Sequence, residues 1–118
     1  MLDRVDHIDI RTPDFEGTVD FLRTLGMTDV RQTHPDRQSV ELALPGASQV
    51  VFEIRADAEA SQMYVHHIAF HAPDAPTAVQ ELSDRGIEFS KKHALIEHTG
   101  RTISNAHDSG GGTWQVTD

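Results

Sequence analysis

The chain has 118 residues, a length that fits one domain with a substantial buried core. It contains no cysteine, which excludes a disulfide framework and thiolate chemistry, so any bound metal must be held by nitrogen and oxygen ligands. Its 19 Asp and Glu residues against 10 Lys and Arg give an acidic chain that repels phosphate backbones, and we therefore expect no nucleic-acid partner.

The first predicted elements are a strand and a helix. In the opening strand, VDHIDIR, the apolar Ile8 and Ile10 alternate with polar residues, so His7 lies on the opposite face of the strand. A helix follows, with Asp14 as its N-cap and Gly26 at its left-handed stop. The predicted core face of this helix consists of Phe15, Val19, Leu22 and Leu25.

Three further strands complete the first half of the chain. They are predicted near 28–33, 38–44 and 49–55, separated by the turn sequences PD and PGAS. In the last strand Phe52 and Ile54 alternate with Glu53 and Arg55. The middle strand contains VELAL, whose apolar residues share one face, so Glu41 lies on the other face, where it is either a surface glutamate or an inward-pointing candidate for proton transfer.

The second half of the chain repeats the first. Residues 65–74 read VHHIAFHAPD where residues 5–14 read VDHIDIRTPD. At this spacing of sixty positions Val5, His7, Ile8, Pro13 and Asp14 recur as Val65, His67, Ile68, Pro73 and Asp74. Internal repetition of this kind indicates a duplicated structural unit. The polar, Ala-rich stretch at 56–62 reads as the linker between the two copies.

The elements of the second copy follow the same order. Its helix has Asp74 as N-cap, Gly86 at its stop, and a core face formed by Ala75, Ala78, Val79 and Leu82. Strands are predicted near 88–96, 101–106 and 113–117. In the last one Trp114 and Val116 face the core, and Gln115 faces away from it.

These elements predict an α+β fold. It consists of two βαβββ modules whose curled mixed sheet encloses a cleft. Module one covers 1–55, the linker 56–62 and module two 63–118, and together they form a single domain.

The sheet faces that the helices leave uncovered carry residues able to hold a metal ion. These are His7, Glu53, His67 and Gln115. Two neutral imidazoles and a carboxylate, completed by an amide oxygen and water, suit Fe, Mn, Co, Ni or Zn. The alternative is a pair of hydrogen-bonded histidines left by duplication in a fold without metal. His66 has the opposite parity to His67, and we expect it to pack beneath the helix.

At these residues the chain resembles the vicinal oxygen chelate superfamily, which includes glyoxalase I, methylmalonyl-CoA epimerase, extradiol dioxygenases, fosfomycin-modifying enzymes and bleomycin-binding proteins. The resemblance covers essentially the whole chain: paired modules, an HI dipeptide in each opening strand and a Gly-rich turn before the last strand. Metal-using members take their ligands from the first and fourth strands of each module. The resemblance therefore implies the ligand set His7, Glu53, His67 and Gln115, and also a homodimer.

One departure from the family pattern concerns the last strand. The family often has a DPDGN-like turn followed by a glutamate, whereas this chain has DSGGGTWQV and Gln115. An amide oxygen can ligate a metal but cannot act as a general base. This weakens a scheme with two ionised glutamates, and it removes the usual carboxylate of the extradiol dioxygenases from its strand.

The resemblance implies a divalent-metal-dependent enzyme of the glyoxalase or epimerase type. We expect it to act on a small carbonyl compound by proton transfer, as a lyase or isomerase, with Glu53 or Glu41 as the base. Arg11 and Arg55 are candidates for holding an anionic substrate or for forming rim salt bridges. The alternatives are iron-dependent ring cleavage, and metal-free binding of a small molecule as in bleomycin-binding proteins.

The predicted location is the cytoplasm. The first residues, MLDRVDHID, lack the basic start and apolar run of a signal peptide. No apolar stretch approaches the ~20 residues that cross a bilayer, so no membrane partner is expected.

Overall fold

The computed structural model describes residues 1–32 and 37–118. The predicted PD turn at 35–36 and position 33 of the predicted second strand lie outside the described residues. The elements of the first half are β1 Arg4–Thr12, α1 Phe15–Thr24, β2 Thr28–Arg31, β3 Ser39–Ala43 and β4 Val51–Ala56. Those of the second half are β5 Tyr64–His71, α2 Ala75–Asp84, β6 Phe89–Ile96, β7 Arg101–His107 and β8 Thr113–Thr117. This order confirms the α+β fold of two βαβββ modules.

The chain folds as two compact units. The first unit is His7–His66, and the second unit is Met1–Asp6 together with His67–Asp118. In the first unit the strands run in the order β2-β3-β4-β1, with β1 and β4 parallel and the other neighbours antiparallel. In the second unit the order is β5-β8-β7-β6, with β5 and β8 parallel. The single-domain organisation stays a prediction.

Both helices begin and end where the sequence predicts. The side chain of Asp14 accepts a hydrogen bond from the backbone N–H of Gly17, and that of Asp74 accepts one from Thr77, both at 3.1 Å. Gly26 has φ of 110°, a left-handed conformation in which a Cβ is strained, and this confirms its place at the helix stop. Neither described helix is long and apolar enough to cross a membrane.

The core of the first unit follows the predicted alternation. Its buried residues are Ile10, Val19, Met27, Val40, Leu42 and Ile54. Leu25 is an exception, because its side chain is 61% exposed although the helical spacing predicts it in the core. The helix ends at Thr24 and Leu25 is its C-cap, so the helical period no longer sets the direction of this side chain.

The second unit has a core of small side chains: Ala72, Ala75, Ala78, Val79 and Val116. The strand alternation predicts that Trp114 faces this core, but this residue is 39% exposed. Its ring stacks on Phe70 at a centroid distance of 6.1 Å, and its indole N–H donates to Asp108 Oδ2 at 2.5 Å. This hydrogen bond holds the indole at the edge of the core, where its polar end has a partner.

Candidate functional site

A row of three carboxyl groups crosses the first unit. Asp9 of β1 lies opposite Glu53 of β4, and Glu53 lies opposite Glu41 of β3. Side chains of paired residues point to the same face of a sheet, so all three carboxyl groups share one face. Asp9 and Glu41 are fully buried. Glu41, predicted from its parity to point inward, is therefore placed on the same face as Glu53.

His7 lies on this face as well, two residues before Asp9 along β1. Its side chain is buried, and its partner across the strands is Val51. The direct neighbour of Glu53 on β1 is therefore Asp9 rather than His7. The strand alternation places Asp9 on the same face as His7. It does not predict that Asp9 lies opposite Glu53, because the register between two strands that are far apart in sequence cannot be read from either strand alone.

The carboxyl group of Glu53 has an unusually high pKa. Burial raises its pKa to about 7, and the charge of Asp9, a hydrogen bond to Asp9 and the charge of Glu41 act in the same direction. Arg55 opposes this shift. Carboxyl groups that are close together cannot all ionise at little cost, so they hold a proton up to near neutral pH.

Arginine side chains surround the carboxyl row. The Nε–H of Arg11 donates to Asp9 Oδ1 at 2.7 Å, and Arg31 Nε lies 3.6 Å from Glu41 Oε1. Arg55 lies opposite Arg11 in the β1–β4 register and is half-buried. Burial, together with the positive charge of Arg11, lowers the pKa of Arg55. The face thus combines buried acids with nearby cations.

Asp9 and His66 can share a metal ion. A carboxylate oxygen of Asp9 and a ring nitrogen of His66 lie within 4.8 Å of each other. The expectation that His66 packs beneath the helix is wrong, since its side chain is exposed at the start of β5. Partial desolvation, followed by the charge of Arg11, lowers its pKa, which keeps the ring in the neutral form that binds metals.

In the second unit Gln115 is buried beside Asn105. Its Nε2 donates to Asn105 Oδ1 at 3.0 Å, across the β7–β8 pair. This bond uses one of the two amide N–H donors, and the carbonyl oxygen is the group that could bind a cation. No pattern in the sequence predicts that Asn105 contacts Gln115. His67 lies in β5 and is partly buried. The full ligand set His7, Glu53, His67 and Gln115 stays a prediction.

The donors of the first unit fit a divalent metal ion. Asp9 offers a carboxylate oxygen and His66 an imidazole nitrogen, without any sulfur. Such a nitrogen and oxygen set suits Mn, Fe, Co, Ni or Zn better than a soft metal.

Comparisons with known proteins agree with this fold. The family model described as the Glyoxalase/Bleomycin resistance protein/Dioxygenase superfamily matches residues 6–104. A Streptomyces coelicolor methylmalonyl-CoA epimerase variant in complex with 2-nitronate-propionyl-CoA is 21% identical, with a TM-score of 0.76 over 99% of this chain and 97% of that chain. The methylmalonyl-CoA epimerase from Mycobacterium tuberculosis is 17% identical, with a TM-score of 0.78 over 98% of this chain and 87% of that chain. No curated protein matches the sequence.

Proposed function

Because the chain belongs to the glyoxalase, bleomycin resistance protein and dioxygenase superfamily, we propose that it is a metal-dependent isomerase that removes and returns a proton at the carbon beside a carbonyl group. The observation that carries the proposal is the row of carboxyl groups in which Asp9 and Glu41 are buried and Glu53, between them, is partly buried. Burying acids next to one another costs free energy, and acid–base catalysis is a common reason for a protein to keep such an arrangement.

The acid–base step is assigned to Glu41, with Glu53 as its partner. A carboxyl group transfers protons best when its pKa is close to the operating pH, and in the metal-free protein the pKa of Glu53 is about 7, so this face can hold a proton near neutral pH. Glu41 takes up the proton, and Glu53 lies beside it in the β3–β4 register. The row then returns the proton to the substrate carbon.

The proposed metal ligands remain His7, Glu53, His67 and Gln115, as the family resemblance implies. A divalent ion bound there supplies positive charge that polarises the carbonyl oxygen of the substrate. Glu53 on this assignment contacts the ion, which leaves Glu41 as the residue whose only proposed role is to move the proton.

The test is hydrogen exchange with solvent. Untagged protein, supplied with each divalent metal in turn, is incubated in D2O with methylmalonyl-CoA and with neutral carbonyl compounds, and deuterium at the carbon beside the carbonyl is measured by mass spectrometry. We expect metal-dependent incorporation, and a loss of about 100-fold or more in Glu41→Gln. Glu97→Gln, which removes an exposed carboxylate, is the matched control and should not change the rate. Equal rates in Glu41→Gln and wild type would contradict the assigned base, and no exchange in any substrate would contradict the isomerase.

A second candidate function is binding of an apolar small molecule. It is favoured by a cavity of about 400 Å³ in the second unit, where the exposed face of Trp114 lies beside Phe70 and Ile87. Because Trp114 is the only tryptophan in the sequence, its fluorescence reports on this cavity directly. Saturable quenching of that fluorescence by a small apolar aromatic compound in metal-depleted protein would support this function. Ring cleavage stays a prediction that dioxygen uptake with a catechol would test.

A further inference from the structure

A cavity of about 400 Å³ lies in the second unit, where the end of α2 meets the strands. Its volume is near the lower end of the range for small-molecule sites, so it suits a ligand of one or two rings. Many of the side chains that line it are apolar, and they include Phe70, Leu82, Ile87, Phe89, Trp114 and Val116.

The first unit fills the corresponding position with one of its own side chains. In that copy Leu42 of β3 pairs with Phe52 of β4 and is fully buried. The corresponding pair in the second copy is Ala106 of β7 and Trp114 of β8, so a methyl group stands where the first copy has the side chain of leucine. Leaving apolar space unfilled costs free energy, and an apolar ligand that entered it would recover part of that cost.

Trp114 offers the cavity a ring surface rather than a hydrogen-bonding group. Phe70 stacks on its ring with an angle of 14° between the two planes. The indole N–H already donates to Asp108 Oδ2 at 2.5 Å. A ligand that contacts Trp114 is therefore recognised by its own ring and, where it carries a positive charge, by the attraction between a cation and the indole.

The carboxylate of Asp108 is held at the edge of this cavity. Its Oδ1 accepts hydrogen bonds from the backbone N–H groups of Gly110 and Gly112, at 2.6 and 3.1 Å. The hydrogen bond from Trp114, followed by those from the two glycines, lowers the pKa of Asp108, so this side chain is ionised at neutral pH. A Cβ on residue 112 would lie 2.6 Å from Asp108 Oδ2, so the turn needs glycine at this position.

The carboxylates at the cavity have no arginine or lysine beside them in its lining. Glu88 and Asp108 both line the cavity and are exposed at its rim, and within residues 1–32 and 37–118 no Lys or Arg lines it. The remaining ionisable side chain there is His107, whose ring nitrogens lie 3.0 Å from Ser90 Oγ and 3.2 Å from Thr113 Oγ1. Two carboxylates in such a lining attract a cation and repel an anion.

We propose that this cavity binds a small aromatic amine, with the ring of the ligand against Trp114 and its ammonium group near Asp108 and Glu88. This inference rests on the second candidate function, the binding of a small molecule in this cavity, and adds the charge of the ligand. It makes no use of the carboxyl row of the first unit, so it holds whether or not the chain is an isomerase.

The test compares three indole compounds of nearly the same shape. Tryptamine carries an ammonium group, tryptophol a hydroxyl group and indole-3-propionate a carboxylate, each on the same two-carbon arm. Untagged, metal-depleted, 15N-labelled protein is titrated with each compound at pH about 7.5 and low ionic strength, because salt screens exposed charges. Trp114 is the only tryptophan in the sequence, so the protein has a single indole N–H resonance, and the shift of that resonance reports binding.

We expect tryptamine to bind at least about fivefold more tightly than tryptophol, equivalent to about 1 kcal/mol, and indole-3-propionate to bind most weakly. Glu88→Gln and Asp108→Asn should each reduce the preference for tryptamine. Glu81→Gln is the matched control and should keep it, because Glu81 is exposed on α2 and does not line the cavity. Ala106→Leu should abolish the binding of all three compounds, because it adds the side chain that fills this position in the first unit. Circular dichroism of each variant confirms that it is folded.

The inference would be overturned if tryptophol binds as tightly as tryptamine, or if indole-3-propionate binds more tightly than either. In both cases the second candidate function would survive, whereas failure of all three compounds to shift the Trp114 resonance would contradict it as well. Wild-type binding in folded Ala106→Leu would also overturn the inference, because the ligand would then lie outside the cavity. The comparison of ligands on wild type decides the matter even where this variant does not fold. No turnover is measured, so these results are independent of the isomerase.

Discussion

At the scale of single residues, Asp9 links most of the charged groups of the first unit. It accepts a hydrogen bond from Arg11, raises the pKa of Glu53, and has a carboxylate oxygen within 4.8 Å of a ring nitrogen of His66. Any change in its charge therefore acts on an ion pair, on an acid and on a candidate ligand at the same time. A substitution of Asp9 would therefore not test proton transfer specifically, and Glu41 is the position at which we test it.

Glu53 gives a prediction about pH and stability. Its pKa is about 7 in the folded state against 4.5 in the unfolded chain, so between these values the folded state holds a proton that the unfolded state has lost. The free energy of unfolding of metal-free protein should therefore decrease as the pH rises through this interval, by at most about 3 kcal/mol, and level off above it. Glu53→Gln should flatten this dependence. Urea unfolding in the presence of a chelator, at pH values from about 4.5 to about 8.5, measures it.

Glu97→Gln is the control for this experiment, because Glu97 is exposed and its substitution should leave the slope as in wild type. If Glu53→Gln keeps the wild-type slope, the raised pKa does not belong to Glu53. The carboxyl row would then have to be reassigned.

At the scale of elements, the two helices are fixed by the same capping arrangement. Asp74 accepts hydrogen bonds from both the backbone N–H and the hydroxyl of Thr77, at 3.1 and 2.8 Å. Asp74→Ala should lower the free energy of unfolding by about 1 kcal/mol, because the first turn of α2 loses its acceptor. Asp74→Asn should retain most of that stability. Glu59→Ala, an exposed substitution, is the control, and an equal loss in both alanine variants would argue against capping.

Local patterns predict those features that depend on neighbours in the chain. The caps, the stop at Gly26 and the inward direction of Glu41 each follow from a few adjacent residues, and the structure confirms them. The position of Trp114 does not follow, because it depends on a hydrogen bond to Asp108 across a turn. The pairing of Asp9 with Glu53 does not follow either, since it is set by the register of strands far apart in sequence.

At the scale of the whole molecule, the acidic composition argues against a nucleic-acid partner, and the absence of cysteine excludes thiolate ligands to a metal. Neither property identifies the substrate. Because the net charge is −9, the chain as a whole attracts positively charged metal ions and substrate groups. Arg55 is then a local exception, a cation placed on a polar face of an acidic protein. The homodimer implied by the family stays a prediction.

Metal content is the property of the whole molecule that most directly divides an enzyme from a binding protein. Elemental analysis of untagged protein should find close to one Fe, Mn, Co, Ni or Zn per chain, because nitrogen and oxygen donors of the predicted set favour these ions. The His7→Ala, His67→Ala double variant should lose the metal, whereas the double variant of His93 and His98, both exposed, should retain it. Because an ion that binds only the folded chain stabilises it, added metal should raise the Tm of wild type and not that of the first variant. Protein that binds none of these ions would lack the polarising charge that the proposed isomerase requires. The apolar cavity beside Trp114 would then be the stronger guide to function.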